Sequence, residues 1–124
     1  MAKVPSILII DCEPHLASIY AKRFDIDGWD VEMADSIDDA ERKATKMKPD
    51  ILLIDAQCAA DLSEVIKRFR GLPTLLHQKM VVLAPDGERG KIQTALDAGA
   101  DAYLILGHFV PQELVKKMKR LIEK

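Results

Sequence analysis

The stretch KPDILLID, Lys48 to Asp55, follows a proline with an unbroken apolar run, Ile51 to Ile54, and stops on a carboxylate. A run this short that does not alternate with polar residues is the pattern of a strand covered on both faces, as in parallel sheets. SILII (Ser6–Ile10) repeats the pattern and also ends on acid, at Asp11, while KMVVLA (Lys79–Ala84) is a third such run. DVEMA (Asp30–Ala34) alternates as a shorter strand, and ADAYLIL (Ala100–Leu106) reads as the last.

Helical spacing fills the gaps between these runs. Pro14 suits a first helical turn, where its missing N–H costs nothing, and Leu16, Ile19, Tyr20 and Phe24 follow as an apolar stripe up to a stop at Gly28. Ser36 with Asp39 three residues on resembles a capping box with Asp in place of Glu, opening a helix striped by Ile37, Ala40, Ala44 and Met47 that Pro49 ends. Leu62, Val65, Ile66 and Phe69 mark a third helix closed by Gly71 and Pro73. Ile92, Ala95 and Leu96, with Gly99 as stop, mark a fourth, and Leu114, Val115, Met118, Leu121 and Ile122 line a fifth. Strands alternating with helices predict an α/β, three-layer, doubly wound (βα)5 parallel sheet. Right-handed crossovers at this size favour the strand order 2-1-3-4-5, the flavodoxin-like arrangement.

Composition narrows the functions. With 124 residues, 48% hydrophobic and 31% charged, the chain is expected to be one domain, 1–124. Its 18 basic and 20 acidic residues are interspersed and leave a formal charge of -2, so no basic field favours nucleic acid or a membrane surface. No apolar run approaches the ~20 residues of a spanning helix, and MAKVPS lacks a secretory signal's apolar core, so the expected location is the cytoplasm. Cys12 and Cys58 lack any C-x-x-C spacing, and two reduced thiols, small and buried, are the plain reading.

In the 2-1-3-4-5 order the first and third strands are neighbours at the switch point, so Asp11 and Asp55 share one crevice. Carboxylates so placed repel each other, and the common remedies are an added proton or a bound hard cation such as Mg2+. An aspartate beside such an ion can attack a phosphoryl group, the metal offsetting the repulsion between like charges.

Taken together, ILIIDCEP, KPDILLID, ALDAGADAYL and FVPQEL resemble the receiver domains of bacterial response regulators, the CheY-like domains of two-component signalling, over nearly the whole chain. The resemblance implies that Asp55 is the phosphoacceptor, served by a histidine kinase or a phosphotransfer protein and read by an output protein or a fused output domain. It implies no enzyme beyond self-catalysed phosphoryl transfer. It further implies that Asp11 and the Gln57 backbone carbonyl hold Mg2+ together with Asp55, that Tyr103 is the switch aromatic, and that the fourth helix, fifth strand and fifth helix form the partner face.

Several positions depart from the family pattern. Cys12 stands where a second carboxylate meets the metal, Ala84 where a Ser or Thr hydroxyl meets the phosphoryl group, and Leu106 where the family has lysine. A charge-assisted contact of the kind Leu106 cannot make is worth roughly 1.5–3 kcal/mol, and a hydroxyl donor about 1 kcal/mol. Mg2+ binding is therefore expected to be weak or absent, with Glu13 the candidate to replace the lost carboxylate. These losses raise the alternative of a phosphorylation-independent pseudo-receiver, an interaction module that keeps the fold and the partner face.

Other chemistries weigh less. A mononucleotide binder of this strand order needs a glycine- and hydroxyl-rich first loop, and the acidic DCEP would repel phosphate. DGERG after Ala84 has no phosphate-loop spacing and reads as a turn. Cys12 and Cys58 both follow strands into the same crevice, so a disulfide, or a Zn2+ site drawing on Asp11 or Asp55, is geometrically conceivable. His108 lies on the loop after the fifth strand and could approach that end, whereas His15 and His77 read as solvated.

Overall fold

The apolar runs become strands β1 (Ser6–Ile10), β2 (Asp30–Ala34), β3 (Ile51–Asp55), β4 (Lys79–Ala84) and β5 (Ala102–Ile105). The periodic stretches become helices α1 (Pro14–Ile26), α2 (Ile37–Met47), α3 (Leu62–Arg70), α4 (Arg89–Ala98) and α5 (Pro111–Ile122). The structure is a computed structural model that describes residues 4–12 and 14–123, with the side chains of residues 14–17 outside that description. All strand pairs are parallel and the order is β2-β1-β3-β4-β5, as expected.

Alternation along each strand divides the core into two layers. Leu8, Ile10, Leu52, Ile54, Met80 and Val82 face one side, where Ala40, Ala44, Ile66, Phe69 and Ala95 from α2, α3 and α4 cover them. Ile7, Ile9, Ile51, Leu53, Val81 and Leu83 face the other, against Tyr20 and Phe24 of α1 and Leu114, Val115 and Met118 of α5. Trp29 closes this second layer edge-on to Phe24, with ring centroids 4.9 Å apart.

Local signals set the helix ends. The Ser36 hydroxyl accepts from the Asp39 N–H at 3.1 Å. At the other end of α2, Lys48 turns left-handed (φ 49°) and its N–H reaches the Ala44 carbonyl, which ends the helix just before Pro49. Gly99 stops α4 at φ 124°, and a side chain there would also crowd Arg70.

Two stripe assignments need correction. Ile19 is 55% exposed and Leu96 39% exposed. Tyr20 and Phe24, one turn apart, carry the inward line of α1, and this leaves Ile19 on the flank beside Val110. On α4 the small Ala95 takes the inward position, and Leu96 is turned outward. Leu16 and His15 lie outside the described side chains.

Candidate functional site

Because β1 and β3 pair with Ile10 opposite Ile54, the residues that follow, Asp11 and Asp55, arrive side by side at the carboxyl edge. Both are only 5% exposed. The Asp11 N–H extends the ladder to the Ala34 carbonyl at 3.0 Å, which aligns its backbone with the end of β2. Asp55 opens the short 3-10 turn Ala56–Cys58, and its Oδ1 accepts from the Gln57 N–H at 2.9 Å. Gln57, expected to serve through its carbonyl, thus meets Asp55 through its N–H.

That turn brings Cys58 back over the edge. One carboxylate oxygen each from Asp11 and Asp55 and the Cys58 Sγ all lie within 4.8 Å of one another. Cys12 and Cys58, 46 positions apart in sequence, are joined as a disulfide, with Cα atoms 5.5 Å apart. The plain reading of two small, buried, reduced thiols is therefore corrected: Cys12 is exposed, Cys58 half-buried, and the two are bonded. The disulfide that the shared crevice made conceivable is thus the one formed, since the juxtaposition of β1 and β3 brings the two loops within bonding reach.

The remaining candidates fall as follows. Ala84 ends β4 as a buried methyl. Leu106 donates its N–H to the Ala84 carbonyl at 2.8 Å, and its side chain packs on the layer of Ile9, Leu83 and Leu114. By alternation this is the layer that Leu53 and then Asp55 face, so an apolar side chain stands on the acid's own side of the sheet. Glu13 lies outside the described residues. His77 and His108 are exposed, and His108 does not join the Asp11, Asp55 and Cys58 group.

Tyr103 pairs in register with Val82 and is half-buried, its hydroxyl donating to the Asp86 carbonyl at 3.2 Å. Burial pushes its phenol above the usual tyrosine value, with Asp86 adding to the rise. The ring borders an open groove of about 630 Å3 that runs past Gln57, Ala84, Lys91 and Thr94. Asp86 as the hydroxyl's partner was not legible beforehand, because DGERG carries only the signal of a turn.

Mg2+ takes an all-oxygen set in near-octahedral geometry. The donors gathered here are two carboxylates and a sulfur, and that sulfur is already bonded to the residue at the second acidic position. The donor set does not fit Mg2+ well. What the edge offers chemically is a buried carboxylate with a second carboxylate beside it and no hydroxyl at position 84.

No family model matches the chain. It is 31% identical, over 95% of its length, to the transcriptional regulatory protein TrcR of Mycobacterium tuberculosis, of which the match covers 45%. To the alkaline phosphatase synthesis transcriptional regulatory protein PhoP of Bacillus subtilis it is 29% identical over 95% of this chain and 48% of that one. The chain thus spans about half the length of these curated relatives. Among solved structures, the chemotaxis response regulator CheY4 of Vibrio cholerae superposes with a TM-score of 0.86 at 22% identity, covering 96% of this chain and 99% of that one. Strand order, the acids at the carboxyl edge and these likenesses together give the chain the receiver-domain fold of the CheY-like response regulators.

Proposed function

We propose that residues 1–124 act as one receiver module of a response regulator, with Asp55 as its phosphoacceptor. The observation that carries this reading is the pairing of buried Asp11 and Asp55 at the ends of neighbouring strands. In the transfer, an Asp55 carboxylate oxygen forms the new P–O bond while the P–N bond of a phosphohistidine on a kinase or phosphotransfer protein breaks. The Gln57 N–H holds the nucleophile in place. The state is then passed on through Tyr103 and the face of α4, β5 and α5 to an output protein or domain, in the cytoplasm and without nucleic-acid contact by this module. No described helix is long and apolar enough to cross a membrane.

A second reading, the phosphorylation-independent pseudo-receiver, is favoured by a specific set of positions. Ala84 and Leu106 bring no donor to a phosphoryl group, and the Cys12–Cys58 bond stands where a metal-binding carboxylate would help. In that reading the fold and the partner face carry the signal alone.

One experiment separates the two. The protein is incubated with Mg2+ and a small acyl phosphate, and its intact mass is measured beside Asp55→Asn. A phosphoryl adduct on the parent alone supports phosphoacceptance, and none at forcing donor concentrations supports the pseudo-receiver. Cys12→Asp combined with Leu106→Lys should raise the adduct yield at least about tenfold, the low end of what one charge-assisted contact is worth.

A further inference from the structure

The same crevice holds a donor set that suits a different ion. When the Cys12–Cys58 bond is reduced, two thiols stand beside the Asp11 and Asp55 carboxylates, with the Cys58 Sγ and one oxygen of each acid already within 4.8 Å of one another. Tetrahedral ligands about 2.0–2.3 Å from Zn2+ lie roughly 3.3–3.8 Å from one another, so these atoms need to close by no more than about 1.5 Å to share one ion. A borderline-soft ion of tetrahedral habit takes thiolate and carboxylate together, whereas a hard ion prefers oxygen alone. The geometry points to a Zn2+ site formed by Cys12, Cys58, Asp55 and Asp11 in the dithiol state and closed in the disulfide state.

The disulfide is what makes the site conditional. Zn2+ binding releases the two thiol protons as two S–Zn bonds form. Oxidation by a low-molecular-weight disulfide runs in two exchanges. One protein thiolate attacks the reagent's S–S bond, giving a mixed disulfide and one small thiolate. The second protein thiolate then displaces the other small thiolate, forming the Cys12–Cys58 bond and setting Zn2+ free. The two electrons pass from the protein sulfurs to the reagent. Exposed Cys12 is the sulfur that such a reagent reaches first, since Cys58 is half-buried with its Sγ 3.9 Å from the Ile10 carbonyl oxygen. The acids that the phosphoacceptor reading uses are also ligands here, so the loaded ion would cover Asp55. The inference itself does not need Asp55 to accept phosphate.

The test is metal binding and needs no signalling partner. Full-length protein is reduced, desalted without oxygen and titrated with Co2+, whose thiolate charge-transfer bands report sulfur ligation, and then with Zn2+ to displace it. Intact mass assigns the dithiol or disulfide state of each sample, and circular dichroism establishes that each variant is folded. One Zn2+ per chain is expected for the reduced protein, with sulfur bands in the Co2+ form. Binding should be at least about 100-fold weaker in the disulfide protein and in Cys58→Ser, and weakened less in Asp11→Asn. Zn2+ held equally by the oxidised and reduced proteins, undiminished binding in Cys58→Ser, or Co2+ binding without sulfur bands would each overturn the assignment. Failure of Asp55 to accept phosphate would leave these outcomes unchanged, so the two readings fail separately.

Discussion

At the amino edge of the sheet, Asp50 and Asp101 each sit among donors; at the carboxyl edge, Asp11 and Asp55 sit beside each other. The Asp50 carboxylate accepts from the Ser6 N–H at 2.9 Å and the Ser6 hydroxyl at 3.3 Å. The Asp101 carboxylate accepts from the Met80 N–H at 2.8 Å and from Arg70 at 2.6 Å. Arg70 also donates to the carbonyls of Gly99, Leu75 and Gln78, so one guanidinium ties α3, α4 and the starts of β4 and β5 together. The difference follows from strand direction. A parallel sheet presents free N–H groups where its strands begin and free carbonyls where they end. Acid at the first edge meets the N–H groups of the strands themselves, whereas Asp55 at the second draws its N–H from the turn that follows its strand. Two carboxylates buried side by side at the carboxyl edge repel each other, and a like-charge pair of that kind is where chemistry is to be sought.

Of the changes that would test this difference between the edges, loss of the disulfide should have the largest effect. Closing a loop of 46 residues is worth up to about 4 kcal/mol on chain entropy, so reduction in metal-free buffer should lower the unfolding free energy by that order, read as a fall in the denaturant midpoint. An unchanged midpoint would mean that the carboxyl edge needs no tie. Next, Arg70→Ala should cost about 2–4 kcal/mol, because it strips partners from carbonyls and from Asp101 at once. A loss under about 1 kcal/mol would remove the claim that the amino edge is the stable one.

Smaller and opposite in sign, Asp55→Asn should stabilise the oxidised protein by about 1 kcal/mol, through relief of its repulsion with Asp11. Destabilisation would show that the partners of the Asp55 carboxylate, the Gln57 N–H among them, outweigh its repulsion with Asp11. The smallest effect concerns Tyr103. Burial raises its folded pKa, so the folded state holds the phenol proton more tightly than the unfolded chain does. The associated stability is fully present below the unfolded value near 10 and is lost as pH rises through the folded one. Phenolate absorbance should titrate above the usual tyrosine range, and Tyr103→Phe should remove one of the two raised titrations, leaving that of Tyr20.

Much of this was legible in advance because apolar patterning is a local property. ILLI between Pro49 and Asp55 can only be comfortable when covered on both faces, and that fact forces helices onto both sides of the sheet. Asp11 and Asp55 were paired on paper through strand order alone. Ile19 and Leu96 were misread because an apolar residue at helical spacing does not say how wide the buried stripe is. Strand order places both cysteines at one crevice, but whether they stay thiols or bond depends on the path of two loops more than forty residues apart, for which there is no periodic signal.

By itself, then, the sequence determined the elements, their order and the acids at the strand ends, since each of these rests on burial period or on chain direction. It also settled which donors are missing, because Ala84 and Leu106 cannot supply a hydroxyl or a cation in any fold. Tertiary structure alone decided that Cys12 and Cys58 bond to each other and that the Tyr103 hydroxyl rests on the Asp86 carbonyl. Those contacts join residues whose separation is fixed only when the sheet closes, and no local propensity encodes them.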